Sequence, residues 1–291
     1  MSEKHIDEIS GVETTGHSWD GIQELNTPLP RWWLWTFYAC IVWALAYTVV
    51  YPSWPGITTN VKGYFGWSSR GALTAELAGA KAAQAVFVEK IAATPVADIL
   101  KDAELSQFAN AGGAAAFKVN CSPCHGSGAA GGNGYPNLND DDWVWGGTID
   151  EIYTTITHGI RNADDPDAHV SEMPVFSDGV LDADQIKQVS AYVYSLSGGT
   201  PADAALVEPG KALFADNCAS CHGEDAKGNK DFGAPNLTDA IWLKVDGSEA
   251  GIVAQVTKPQ HGVMPAWGGR LGDATVKQLA VYVHSLGGGQ Q

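Results

Sequence analysis

The chain has 291 residues, with 17 Lys and Arg against 33 Asp and Glu and a formal net charge of −16. That length accommodates two or three compact units. The acid excess excludes nucleic acid as an expected partner, because phosphate binding needs clustered cations; a cationic protein partner fits it.

Residues 1–31 are polar. Trp32 to Tyr51 (WWLWTFYACIVWALAYTVVY) is a twenty-residue run without charge, the length at which a helix spans a bilayer's hydrocarbon core. Trp32, Trp33 and Trp35 at one end, and Tyr47, Tyr51 and Trp54 at the other, fit aromatic belts at the two interfaces. Pro52 and Pro55 close the helix. A cleaved signal peptide fits poorly: the preceding flank is long and acidic, the apolar run is too long, and no small-residue cleavage site follows. An uncleaved single-pass anchor over 32–51 is expected, with Cys40 a small packing residue within it. Lys4 and Arg31 before it, and Lys62 and Arg70 after it, orient it only weakly.

Residues 52–110 read as a connector containing an amphipathic helix. Gly71 to Ile91 is Ala-rich, and Leu73, Leu77, Val88 and Ile91 recur at helical spacing. Arg70, Glu76, Lys81, Glu89 and Lys90 argue against a second span.

The chain then repeats itself. GAAAFKVNCSPCHG matches GKALFADNCASCHG at an offset of 97 residues. Pro136-Asn137-Leu138 matches Pro235-Asn236-Leu237, Trp143 matches Trp242, and Met173-Pro174 matches Met264-Pro265. VSAYVYSLSGG matches LAVYVHSLGGG. Each unit runs first helix, Cys motif, Gly-rich loop, middle helix, Met-Pro loop, last helix. A tandem duplication follows, with domains over 111–199 and 208–291 joined by a linker over 200–207. Gly113 and Phe117 recur as Gly210 and Phe214 on the first helix, and Tyr192 recurs as Tyr282 on the last. A small residue beside an aromatic suits a close helix crossing in the core.

C-x-x-C-H is the attachment signature of c-type haem: two thiols bond the porphyrin, and the adjacent His presents its imidazole to the iron. Cys121, Cys124 and His125 form one such motif, and Cys218, Cys221 and His222 the other. A disulfide would not need the His. A zinc site needs four convergent ligands, which an adjacent Cys and His place poorly. A thioredoxin-like motif wants a βαβ setting that is absent here. Two covalently bound haem c groups are therefore expected. Apart from Met1, the only methionines are Met173 and Met264, 48 and 42 residues beyond the motif His. Their equivalent places make them the expected second axial ligands, with His158, His169 and His261 as rivals. Each repeat keeping its own Met is the simpler arrangement; an exchange between facing repeats satisfies the same spacing. Pro136 and Pro235 offer carbonyls that can accept the proximal His N–H. Arg161, Trp143 and Trp242 are candidates for haem propionate contacts or for ordinary packing. A six-coordinate iron has no open position for substrate. The expected chemistry is one-electron transfer, and the chain is not an enzyme on its own.

These motifs, with their PNL and Met-Pro segments, resemble class I cytochrome c domains over Gly112 to Gly287. The segment TTGHSWDGIQELNTPLPRWWLW (Thr14 to Trp35) resembles the CcoP/FixP dihaem subunits of cbb3-type cytochrome c oxidases. The resemblance implies a mainly α chain: one N-terminal transmembrane helix followed by two tandem class I cytochrome c domains. It implies a bacterial inner membrane, residues 1–31 cytoplasmic and the haem domains periplasmic. The implied partners are a cytochrome c donor, a monohaem subunit and the haem–copper catalytic subunit, in respiration coupled to proton translocation. A free-standing membrane dihaem shuttle and a dihaem peroxidase are the alternatives. From Gly112 to Gly199 there are twelve acidic and three basic residues, and from Glu208 to Gly287 nine and seven. The acidic first repeat, with Asp140 to Asp142 and Asp164, Asp165 and Asp167, is the expected face for a basic donor.

Overall fold

A computed structural model describes residues 5–290, so Lys4 lies outside the described residues. The chain divides at Ala83 and Gln84 into two compact units. It is mainly helical, as expected.

The first unit opens with an element the sequence reading did not anticipate. Strands β1 (Thr14–Trp19) and β2 (Ile22–Leu25) pair antiparallel. Asp20 and Gly21 join them at φ 50° and 84°, the two positive values of a type I′ hairpin turn, for which Asp-Gly is a preferred pair. Helix α1 (Arg31–Val50) is long and apolar enough to cross a membrane. It starts and ends one residue before the expected span, with Pro30 as N-cap and Tyr51 as C-cap. Tyr47 stacks on Tyr51 at 4.7 Å, so the aromatic end is continuous across the helix terminus.

Helix α2 (Ser69–Ala93) is the expected connector helix. A short turn, α3 (Val96–Ile99), follows Pro95. Helix α4 (Ala103–Asn120) begins before the predicted domain boundary, because Asp102 caps it by accepting from the Leu105 N–H. The chain continues through α5 (Ser122–His125), α6 (Ile149–His158), α7 (Ala183–Leu196), α8 (Val207–Asn217), α9 (Ala219–His222), α10 (Glu249–Thr257), α11 (Gly268–Leu271) and α12 (Asp273–His284). Thr148 with Glu151, and Asp182 with Gln185, form capping boxes at the starts of α6 and α7.

Two hydrophobic cores organise residues 84–290. The first joins Leu105, Ala109 and Phe117 of α4, Ile149, Ile152 and Ile156 of α6, and Val276, Leu279 and Val281 of α12. The second joins Ile186, Val189 and Val193 of α7, Phe214 of α8, and Ile252 and Val256 of α10. The last helices of the two repeats have changed places: α12 packs on α4, and α7 packs on α8. A Cβ on Gly113 would lie 2.1 Å from the Gln278 carbonyl oxygen of α12, and one on Gly210 would lie 2.0 Å from the Gln188 carbonyl oxygen of α7. Phe117 then meets Tyr282 at 5.4 Å, and Phe214 meets Tyr192 at 5.5 Å. The glycine–aromatic crossing expected from sequence forms twice, each time between different repeats.

Neither crossing has room for a methyl group. Gly113→Ala and Gly210→Ala are each expected to cost about 1–3 kcal/mol through overpacking. Gly79→Ala, on α2 with nothing within 4 Å of its added carbon, is expected to be neutral or to gain up to about 1 kcal/mol in helix propensity. Thermal unfolding midpoints of the detergent-solubilised chain check the contrast.

Candidate functional site

Each Cys motif begins where a helix ends. Cys121 caps α4, and the N–H groups of Cys124 and His125 both donate to its carbonyl at 3.1 and 2.9 Å. Cys218 caps α8 and receives the N–H groups of Cys221 and His222 at 3.1 and 3.0 Å. The motif is thus one helical turn, on which residues i, i+3 and i+4 share a face. Two thiols and an imidazole are presented together twice.

All four thiols are free. Burial, and secondarily the neighbouring Cys, pushes Cys121 and Cys218 each up to about 11. They are therefore neutral thiols near pH 7 rather than thiolates, unlike a reactive redox pair. His125 Nδ1–H donates to the Pro136 carbonyl at 3.2 Å, and His222 Nδ1–H to the Pro235 carbonyl at 3.0 Å. The expected carbonyl partners are in place. Burial lowers both imidazoles below the ordinary His value, outweighing that hydrogen bond. Each ring is held neutral, with Nδ1 protonated and the Nε2 lone pair available.

Two residues that sequence reading missed support this arrangement. Ala129 and Ala226 are buried and adopt φ 58° and 59°, a left-handed conformation uncommon for Ala. Their carbonyls accept from Leu138 and Leu237 N–H, each at 2.8 Å, which draws the PNL segments up to the histidines. The available signal was an Ala at the same place after both motifs.

The methionines follow the exchanged helices. Met264 packs with Cys121 against the first core, and Met173 with Cys218 against the second. Met264 is laced to the end of α6: its N–H donates to the Ile160 carbonyl, and Ile160 N–H to its own, both at 2.9 Å. Trp267 N–H also donates to the Ile156 carbonyl at 3.0 Å. Gly159 makes this approach possible. It sits at φ 77°, and a Cβ there would lie 2.3 Å from the Met264 carbonyl oxygen. On the other side, Ser177 Oγ donates to the Thr257 carbonyl at the end of α10, at 2.8 Å.

Two of the rival histidines, His158 and His169, are engaged elsewhere. His158 Nδ1 faces both Asp165 oxygens at 3.1 Å. His169 lies 3.1 Å from Thr155 Oγ1 and stacks on Trp145 at 4.2 Å. Trp143 donates its Nε1–H to the Gly288 carbonyl, and Trp242 lies against Gly247. Trp143 also packs against the first core and Trp242 against the second. Asp141 and Asp142 share a cleft of about 270 Å³ with Lys227 and Lys230. Burial, then the charges of Asp239, Asp140 and Asp141, raises the Asp142 carboxyl.

The donor sets fit c-type haem: paired free thiols, a neutral imidazole of fixed tautomer on the same turn, and a thioether in each core. Comparison with known proteins agrees. Residues 11–58 match a family model described as the N-terminal domain of cytochrome oxidase-cbb3, FixP. Residues 108–193 and 205–283 match one described as cytochrome c oxidase, cbb3-type, subunit III. The chain is 61% identical over 287 residues to the cbb3-type cytochrome c oxidase subunit FixP of Rhizobium meliloti, covering 99% of this chain and 98% of that protein. It belongs to the FixP/CcoP family. The subunit CcoP of Cereibacter sphaeroides is 53% identical over 278 residues, with 95% of each chain covered. A FixP/CcoP chain is a component of a cbb3-type oxidase, and its two cytochrome segments imply c-type haem. Its N-terminal apolar helix α1 is the candidate membrane anchor.

The lacing of Met264 to α6 gives a direct expectation. Gly159→Ala should destabilise by about 1–3 kcal/mol, through overpacking and a positive φ. Hydrogen exchange should show the Ile160 and Met264 amides losing protection together, while Ser177 and its surroundings stay protected.

Proposed function

We propose that the chain carries two haem c groups with exchanged axial methionines. The first is held by Cys121, Cys124 and His125 with Met264, and the second by Cys218, Cys221 and His222 with Met173. The observation that carries this pairing is the packing of each Met in the core of the other repeat's Cys motif. When bound, haem c would supply reversible one-electron exchange. The chain's own part is to hold each imidazole neutral and oriented, to present a thioether from a tethered loop, and to keep water from the cores.

On this reading the domains at 111–199 and 208–291 are units of sequence whose last helices complete each other. The chain accepts electrons from a cationic cytochrome c and passes them, through the monohaem subunit, to the haem–copper catalytic subunit. It is an electron-transfer subunit without turnover of its own. Helix α1 is a single pass in the bacterial inner membrane, with residues 1–31 cytoplasmic and the haem domains periplasmic, where c-type haem is attached.

The exposed carboxylates of Asp164 and Asp167 suit a basic donor better than Asp142, which is half-buried beside Lys227 and Lys230. Asp164→Asn with Asp167→Asn is expected to slow donor oxidation several-fold at low salt, with the difference vanishing at high salt. Equal rates at all salt concentrations would sink the docking assignment.

The pairing itself is tested where only one haem is present. In a chain with Cys218→Ala and Cys221→Ala, Met264→Ala should abolish the red-region absorbance of a thioether-ligated ferric haem, and Met173→Ala should leave it. The reverse result assigns each Met to its own repeat. A haem-c assay of the unaltered chain giving other than two per polypeptide rejects the reading altogether.

A further inference from the structure

The two Met-Pro loops are far apart in sequence, yet one side chain holds both. Arg161 follows α6 at φ 51°, a left-handed value for a residue other than Gly. That conformation aims its guanidinium between the loops. Nε–H donates to the Ser171 carbonyl at 3.0 Å, and Nη1–H donates to the Gly262 carbonyl at 3.0 Å. Ser171 and Gly262 each lie two residues before a methionine, Met173 and Met264. The side chain is only 16% exposed.

Everything around the guanidinium fixes it. It lies over the Trp145 ring at 6.0 Å. Trp145 is itself wedged between His169, stacked at 4.2 Å, and Gly233 of the second repeat. The Arg161 N–H donates to the His169 carbonyl at 2.6 Å, while the preceding Ile160 carries the paired bonds to Met264. Glu172 stands 3.9 Å from Nε and is mostly exposed. A planar fork with several donors can serve two carbonyls in different directions, whereas the single ammonium of Lys cannot match that geometry. A ligand borne on a loop is only as well placed as the contacts that support the loop.

We propose that Arg161 is a positioning residue for both axial methionines at once, a clasp whose two arms set Met173 and Met264 together. This rests on the ligand reading above and deepens it. The two centres then share one mechanical element, so a single substitution far from either Cys motif disturbs both.

The test uses the full chain, carrying both haems, in detergent. Four variants are compared: Arg161→Gln, Arg161→Lys, Met173→Ala and Met264→Ala. The readouts are the red-region absorbance of thioether-bound ferric haem and the midpoint potentials of the two centres, with haem content as the control for folding. Each Met variant is expected to remove about half of the band and to move one potential. Arg161→Gln is expected to lower the band at both centres and to move both potentials, with two haems retained. Arg161→Lys keeps the charge but has no fork, and should restore one centre at most. Where Arg161→Gln loses haem, the Lys variant supplies the reading.

If Arg161→Gln moves one potential or none, the clasp is wrong. If Lys restores both centres, the residue acts by charge alone and the clasp is again wrong. If the Met variants leave the band intact, the ligand reading fails, which is distinguishable from failure of the clasp.

Discussion

Two helix crossings at backbone distance govern the part of the chain from residue 84 onward. At Gly113 and Gly210 there is no side chain, and the carbonyls of Gln278 and Gln188 occupy the space where one would be. Such an approach is permitted only by glycine, and each is flanked by an aromatic pair, Phe117 with Tyr282 and Phe214 with Tyr192. Because the pairs come from different repeats, neither core is complete within one repeat. Everything that follows α6 and α10 is routed by that exchange, including the loops that carry the methionines.

The loops cross with the helices that follow them. Met264 precedes α11 and α12, so it arrives beside the Cys121 core that α12 completes. Met173 precedes α7 and arrives beside Cys218. Backbone bonds finish the placement, from Ile160 to Met264 and from Trp267 to Ile156, in a region without regular strands. Arg161 and Trp145 occupy the seam between the repeats, touching residues of both. The structure thereby links two sites that the duplication alone would leave independent.

Much of this was legible in the residues. The anchor, the repeat, the Cys–His motifs and the proline carbonyls that receive the histidines are local patterns, and local patterns survive without knowledge of the fold. The exchange of the last helices was not read, and an exchange of methionines was left open beside the simpler pairing, because a duplicated sequence offers every contact two equivalent partners: Gly113 suits Tyr192 as well as Tyr282. One signal could have decided it. Only Ser197 to Leu206 separate α7 from α8, and a short connection makes consecutive helices antiparallel neighbours. Once α7 lies on α8, α12 is left for α4. The Asp20-Gly21 hairpin was overlooked although its dipeptide is a strong turn signal. The Arg161 contacts with the Ser171 and Gly262 carbonyls were not anticipated, since they depend on loops that meet only after folding.

The exchanged packing is tested most directly by double-mutant cycles on the four aromatic residues, using Leu replacements and unfolding of the full chain. The account predicts coupling of about 0.5–1.5 kcal/mol for Phe117 with Tyr282 and for Phe214 with Tyr192. It predicts additivity for Phe117 with Tyr192 and for Phe214 with Tyr282. Coupling within each repeat, and additivity between repeats, would contradict it.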